Sequence, residues 1–427
     1  MRIALLSPLP PERNGIADYA SHLREALEAS GLEVSTPLAG HAPLATVADA
    51  RAWVARQEWK RVDVVHAELG GGRVSEFLAL SALAEMRQRT PTPGRPALSA
   101  TAHDPERLVW RPVSRGWLAL QRSARLPRLA LQGLAVLGDP LTLRAERQLA
   151  RRLDGLVALT RTGADRLAAR MGTAEHRVGV IPHGVRQLAP LGTESLFAAV
   201  DRREPIRLLY FGFIYAGKGI EDLIDALAAL CHREPAAAAR MRLTIAGGTA
   251  PDIAFGAQGG YLDSLRERVA SAGLTAQVEW VLDVAEPDIP ALILGHHAMV
   301  LPYRESRKLA LLGQMRGTSG ALAWAIACGR GVITSDARAF AEEIASGNGL
   351  SYPQGDVAAL SARLGQLLHQ PAQLLAWASR AAELAEERAW PRTAERFGAY
   401  FRSLLRPRPA DARAHTGLVE EPLEDRP

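Results

Sequence analysis

The chain of 427 residues contains only two cysteines, Cys231 and Cys328, both in apolar helical patterns. Two such residues supply neither a disulfide framework nor a cysteine-based zinc site, and a reducing cytoplasm suits them. No run of about 18 apolar residues occurs, so no segment reads as a spanning helix. The opening MRIALLSPLPPERNG has a very short apolar run ended by prolines, which reads as a first strand and not as a signal peptide. Basic blocks are missing too. The net charge of +5 comes from scattered arginines, which does not point to nucleic acid. Lysine is the scarcest cation, found only at Lys60, Lys218 and Lys308. What remains is 48% hydrophobic and 23% charged, the balance of a soluble globular enzyme, with a length that suggests two or three domains.

The apolar pattern alternates strand and helix twice. Residues 2–6, 32–35, 62–69, 96–104, 155–160 and 177–184 read as strands of a first half. Helical patterns cover 16–27 and 77–86, and a segment at 107–152 is rich in Arg and Leu with Trp110 and Trp117, broken by Pro112, Pro127 and Pro140. That segment reads as one or two solvated helices or, more sharply, as a face for a membrane surface. From 186 to 205 the pattern dissolves into Pro, Gly, Glu and Asp, which marks a domain boundary. Strands at 206–211, 241–248, 278–284, 298–303 and 331–336 then form a second parallel sheet covered by helices. The expected division is a first domain at 1–190, a second at 191–389, a final helix at 390–405 and a Pro-rich, charged, disordered tail at 406–427.

Three loops at strand ends invite an anion. Gly212, Gly217, Lys218 and Gly219 separate a strand from a helix whose face is Ile220, Leu223, Ile224, Leu227 and Leu230. Unpaired N–H groups and the helix dipole favour negative charge there, and the rare Lys218 adds a point charge suited to phosphate. Thr318, Ser319 and Gly320 open an Ala-rich helix in the same half. Two helix starts and a cation suit a diphosphate. In the first half Asn14 and Gly15 stand at a helix start, Gly70, Gly71 and Gly72 follow a strand, and His103 and Asp104 end another, all at the edge where open α/β sheets bind ligands.

Residues 1 to about 405 resemble a GT-B glycosyltransferase, most like the retaining family 4 group that uses nucleotide sugars. The resemblance is carried by SPLPPERNGIADYA, the strand-end His103 and Asp104, IPHGV, FGFIYAGKGIEDLIDAL, TIAGG, VLPY and ALAWAIACGRGVITSD. It implies an α/β fold of two Rossmann-like domains facing each other across a cleft, with the final helix crossing back onto the first. It also implies that Asn14 and Gly15 approach donor phosphates and acceptor, that His103 contacts the transferred sugar, and that Lys218 binds the donor diphosphate. The chain departs from the family in two ways. Arg316 and Trp324 stand where paired glutamates usually contact sugar and ribose, and Phe213 or Ile214 replaces an arginine common before the lysine. Arg316 or Arg304 is the candidate for the missing charge.

The expected reaction is transfer of a sugar from a nucleotide sugar, UDP- or GDP-linked, to an acceptor hydroxyl with retention. Lys218, Gly219, Thr318, Ser319, Gly320 and Gly15 would hold the diphosphate, while His103 orients the sugar. No metal and no separate cofactor is expected. The acceptor would be a glycan or lipid-linked glycan of a cell envelope, met in the cytoplasm or at the inner membrane surface. Two rivals stand beside it. One is an epimerase or phosphorylase of the same fold, for which Glu68, Asp104 and Glu286 are scattered acid/base candidates. The other is a degenerate partner protein that binds a glycan, suggested by Arg316 and Trp324.

Overall fold

The computed structural model describes residues 1–12, 14–71, 73–89, 95–110, 128–188, 204–248, 260–305 and 317–406, with backbone alone for 128–138. The expected 406–427 tail lies, but for Arg406, outside the described residues, as do Trp117, Gly72 and Arg316. Two six-stranded parallel sheets make the framework. The first orders its strands β2-β1-β3-β4-β5-β6, from β1 (Arg2–Leu6), β2 (Glu33–Ser35), β3 (Val64–Leu69), β4 (Ala97–Ala102), β5 (Gly155–Ala158) and β6 (Val178–Val180). The second runs β12-β11-β10-β7-β8-β9, from β7 (Ile206–Phe211), β8 (Met241–Gly247), β9 (Val278–Leu282), β10 (Ala298–Leu301), β11 (Gly331–Ser335) and β12 (Gly349–Tyr352). Every residue of β3 and β4 is buried, as a parallel sheet covered on both faces requires.

Each sheet reverses its strand order once, between β1 and β3 in the first and between β7 and β10 in the second. Crevices open at such switch points beyond the C-terminal strand ends. The loops that follow these four strands carry Asn14, Gly70, Lys218 and Arg304.

Helix α1 (Gly15–Ala29) starts on Asn14, whose side chain accepts hydrogen bonds from the Ile16 and Ala17 N–H groups at 3.1 and 2.9 Å. Helix α13 (Trp390–Leu405) lies against α1, and Tyr19, Leu23, Trp390, Phe397 and Phe401 share one buried cluster. Its start is tied to the first half by hydrogen bonds between Val185 and the backbone of Arg388 and Trp390, at 2.8 and 3.2 Å.

Two sequence readings are refined here. The segment punctuated by Pro140 reads as one or two helices, and α4 (Arg128–Arg152) is one helix running through that proline. Tertiary anchors hold it: buried Arg107 pairs with Asp139, and Glu146 accepts hydrogen bonds from the Leu108 and Val109 N–H groups at 2.6 and 3.0 Å. The arginine-rich segment is thus partly wired into the interior. Strand β12 has no counterpart in the sequence reading. Its GLSY carries no apolar run, and it is held by pairing with β11.

His183 is half-buried beside α13, its ring edge-on to Tyr19 at 5.0 Å, and the desolvation lowers its pKa to about 4. The unfolded chain takes up this proton near the ordinary value of 6.5, whereas the folded chain refuses it until about 4. Stability contributed by neutral His183 is therefore complete above pH 6.5 and lost as pH falls towards 4. Acidification across that window is expected to lower unfolding stability by about 3 kcal/mol, and His183→Phe should flatten the dependence in denaturant titrations.

Candidate active site

The loop after β7 is stitched to its neighbours by its own backbone. Ile214 N–H donates to Gly248 at 3.0 Å, and Arg304 N–H donates to the Gly217 carbonyl at 3.0 Å. Gly219 has a left-handed φ of 66°, and a Cβ there would sit 1.8 Å from the Pro302 carbonyl oxygen. Only glycine meets both demands. The crossing delivers Lys218 into the crevice, buried, with Nζ 3.7 Å from the centroid of the Tyr303 ring and 5.3 Å from that of Tyr215. Helix α6 (Ile220–Arg233) begins on Gly219 without a side-chain cap.

The second helix start is α9 (Gly320–Ala327), with Ser319 as its N-cap. Neither hydroxyl nearby caps it. Ser319 Oγ instead faces the Tyr303 hydroxyl at 3.2 Å, and Thr318 Oγ1 donates to Glu343 at 2.6 Å. Burial raises the Glu343 pKa against the pull of that hydrogen bond. No described residue accepts from the Gly320 or Ala321 N–H, and the space beside Gly320 is open, as it is beside Gly15 and Gly217. Tyr303 therefore links the two proposed anion sites, its face under Lys218 and its hydroxyl on Ser319.

Across the cleft, His103 Nε2 donates to Glu68 at 2.8 Å, which fixes the imidazole tautomer. Glu68 is fully enclosed and lies 3.4 Å from His66 Nε2. Burial alone would raise its pKa, but the hydrogen bond from His103 and the nearby His66 ring outweigh it and hold the carboxyl at about 2. Glu68 thus stays ionised behind His103. Asp104 is fully engaged: it accepts from Gly71 N–H at 2.8 Å, Trp110 Nε1 at 2.6 Å and Gly317 N–H at 3.3 Å. The last bond crosses between the sheets. A Cβ on Gly317 would lie 1.5 Å from the His103 carbonyl oxygen, so the segment leading to Ser319 is pressed on the backbone of His103. Glu342 adds a second clasp, its two oxygens accepting from the Arg161 and Thr162 N–H groups at 2.7 Å each. These begin helix α5 (Arg161–Met171).

The structure thus gathers Lys218, Gly219, Ser319 and Gly320 around Tyr303, and brings His103 opposite through Gly317. Asn14 serves as a helix cap, leaving Gly15 beside open space. Thr318 is spent on Glu343. Arg304 is turned aside to Asp222 on α6, an ion pair that compensates its charge. Trp324 lies under Arg186, whose Cζ is 5.7 Å from its ring. Sequence reasoning overlooked Tyr303, Glu343 and Arg338. The signal was available for Tyr303 and Arg338, which lie just beyond the C-terminal ends of β10 and β11, whereas Glu343 sits further on, in the helix Phe340–Ile344. Among the described residues no cluster of His, Cys, Asp or Glu could hold a metal ion, and no helix is long and apolar enough to cross a membrane.

Residues 194–384 match the family model described as "Glycosyl transferases group 1". A D-inositol 3-phosphate glycosyltransferase of Kineococcus radiotolerans is 27% identical over 272 residues, 62% of this chain and 61% of that protein. Its counterpart from Salinispora arenicola is 33% identical over 187 residues, 40% of each chain. The chain thus spans 61% or less of the length of these curated relatives. Among solved structures, Anabaena Alr3699/HepE in complex with UDP superimposes with a TM-score of 0.64 at 17% identity, covering 94% of this chain and 100% of the other. Sucrose-phosphate synthase from Thermosynechococcus elongatus gives 0.65 at 18%, covering 95% and 99%. These likenesses show the fold: two parallel-sheet α/β domains of the GT-B type.

Proposed function

We propose that this chain is a retaining, family 4-like glycosyltransferase that moves a hexose from a nucleoside diphosphate sugar to an acceptor hydroxyl. The observation that carries the reading is the Tyr303 junction, where Lys218 and the open start of α9 converge opposite His103. The match of residues 194–384 to a glycosyltransferase family supports it, as does the UDP held by the Anabaena structure of the same fold.

In this reaction the bond from the anomeric carbon to the β-phosphate oxygen breaks, and a bond from the acceptor oxygen forms. Charge collects on the departing diphosphate. Lys218 and the N–H groups of Gly320 and Ala321 meet that charge in a closed cleft, where preorganised donors stabilise it most. Asp104 is already occupied by three hydrogen bonds, and in this reading the acceptor proton passes to an oxygen of the departing phosphate. His103, held by Glu68, orients the sugar. The acceptor we assign is a glycan or lipid-linked glycan of a cell envelope. Exposed Leu141, Arg144 and Arg151 on α4 give a basic, partly apolar face suited to an anionic membrane surface.

Incubation with a panel of UDP- and GDP-linked sugars should release nucleoside diphosphate slowly from one of them, with sugar of retained anomeric configuration by NMR. Release from no donor would contradict the transferase. It would favour a glycan-binding partner, a reading to which Trp324, lying under Arg186 in the place of a ribose-contacting carboxylate, lends its one observation.

A further inference from the structure

We propose that Arg338 is the second cation of the diphosphate site, touching the phosphates of the departing nucleoside diphosphate. This rests on the donor reading above and adds a residue to it. Arg338 follows β11 at the C-terminal sheet edge, with a left-handed φ of 60° that only one other non-glycine residue, Asp283, shares among those described. Glycine would make this turn without strain, so an arginine there is explained by its side chain. Its Nη1 donates to the carbonyls of Gly317 and Thr318 at 2.8 and 3.1 Å, which aims the guanidinium along the segment leading into α9. Its Cζ stands 4.9 Å from the centroid of the Tyr303 ring, the ring that also carries Lys218 Nζ at 3.7 Å.

Two cations are therefore collected around one aromatic ring. Glu305 accepts from the Arg338 backbone N–H at 3.2 Å and buried Glu343 lies within electrostatic reach, but no described carboxylate is hydrogen-bonded to the guanidinium, and residues 306–316, which precede Gly317, contain no Asp or Glu and three more basic residues. Like charges this close repel each other, and an anion bridging them removes that cost. No described residue accepts from Nε or Nη2, so the fork that suits two phosphate oxygens is available. Arg304 does not do this work, because Asp222 holds it. Arg338 thus supplies the charge that the sequence lacks at Phe213 and Ile214.

Calorimetric titration of wild type, Arg338→Gly and Arg338→Lys with UDP and GDP, each against its monophosphate, tests the assignment, with unfolding temperatures measured in parallel. Arg338→Gly should weaken diphosphate binding about tenfold or more and monophosphate binding much less, and Arg338→Lys should recover part of the loss. Its unfolding temperature should hold or rise, because glycine relaxes the left-handed turn. Unchanged diphosphate affinity, an equal loss for monophosphate, or a loss accompanied by lowered unfolding temperature would overturn the role of Arg338 while leaving the donor reading intact. Wild type that binds neither diphosphate would overturn both.

Discussion

Gly317→Ala is expected to lower donor turnover by about a hundredfold or more while leaving each domain folded. The new methyl would be placed 1.5 Å from the carbonyl oxygen of His103, and both partners are backbone, so no side-chain rotation relieves the overlap. The overlap lies between the two sheets, and the molecule escapes it by opening. Opening breaks the Gly317 to Asp104 hydrogen bond and pulls Glu342 from the start of α5. Lys218 and α9 then no longer face His103, and a displacement of about 1 Å at reacting atoms is enough for such a loss. Small-angle scattering should show a larger radius of gyration with the unfolding temperature nearly unchanged. Full activity in this variant would mean that the contact between Gly317 and His103 plays no part in the working state.

Lys218→Ala is expected to cost about two to three orders of magnitude in turnover, the range typical of removing one preorganised donor from a developing anion. The side chain is buried over Tyr303 and contributes packing as well as charge, so Lys218→Met is the sharper variant. It keeps the stem and removes the ammonium. A large fall in kcat for Lys218→Met with unchanged unfolding temperature assigns the effect to charge.

The Lys218 loop was legible because it combines chain-entropy cost with a rare residue: three glycines and one of three lysines between a strand and an amphipathic helix. The strand alternation, and with it the two-sheet architecture, was legible for the usual reason that buried parallel strands are near-continuous apolar runs. Other features depend on partners distant in sequence. Arg304 looked like a spare charge beside Lys218, but Asp222, on the first turn of α6, takes it. Pro140 left one helix or two open, and Arg107 and Glu146 hold a single helix together around it. Arg338 was hidden by its turn, which composition would assign to glycine. Glu68 stood in plain view as a strand residue, and only its closure between two histidines shows why a carboxylate is buried there.

The central claim is that Lys218 and the start of α9 form a binding site for a nucleoside diphosphate. It is tested most directly by titrating UDP and GDP into the wild-type chain and into Lys218→Met in a calorimeter. The account predicts saturable binding of one of the two by wild type, weakened about tenfold or more when the ammonium is removed. Absence of binding for both nucleotides, or equal affinity in the two proteins, would contradict it.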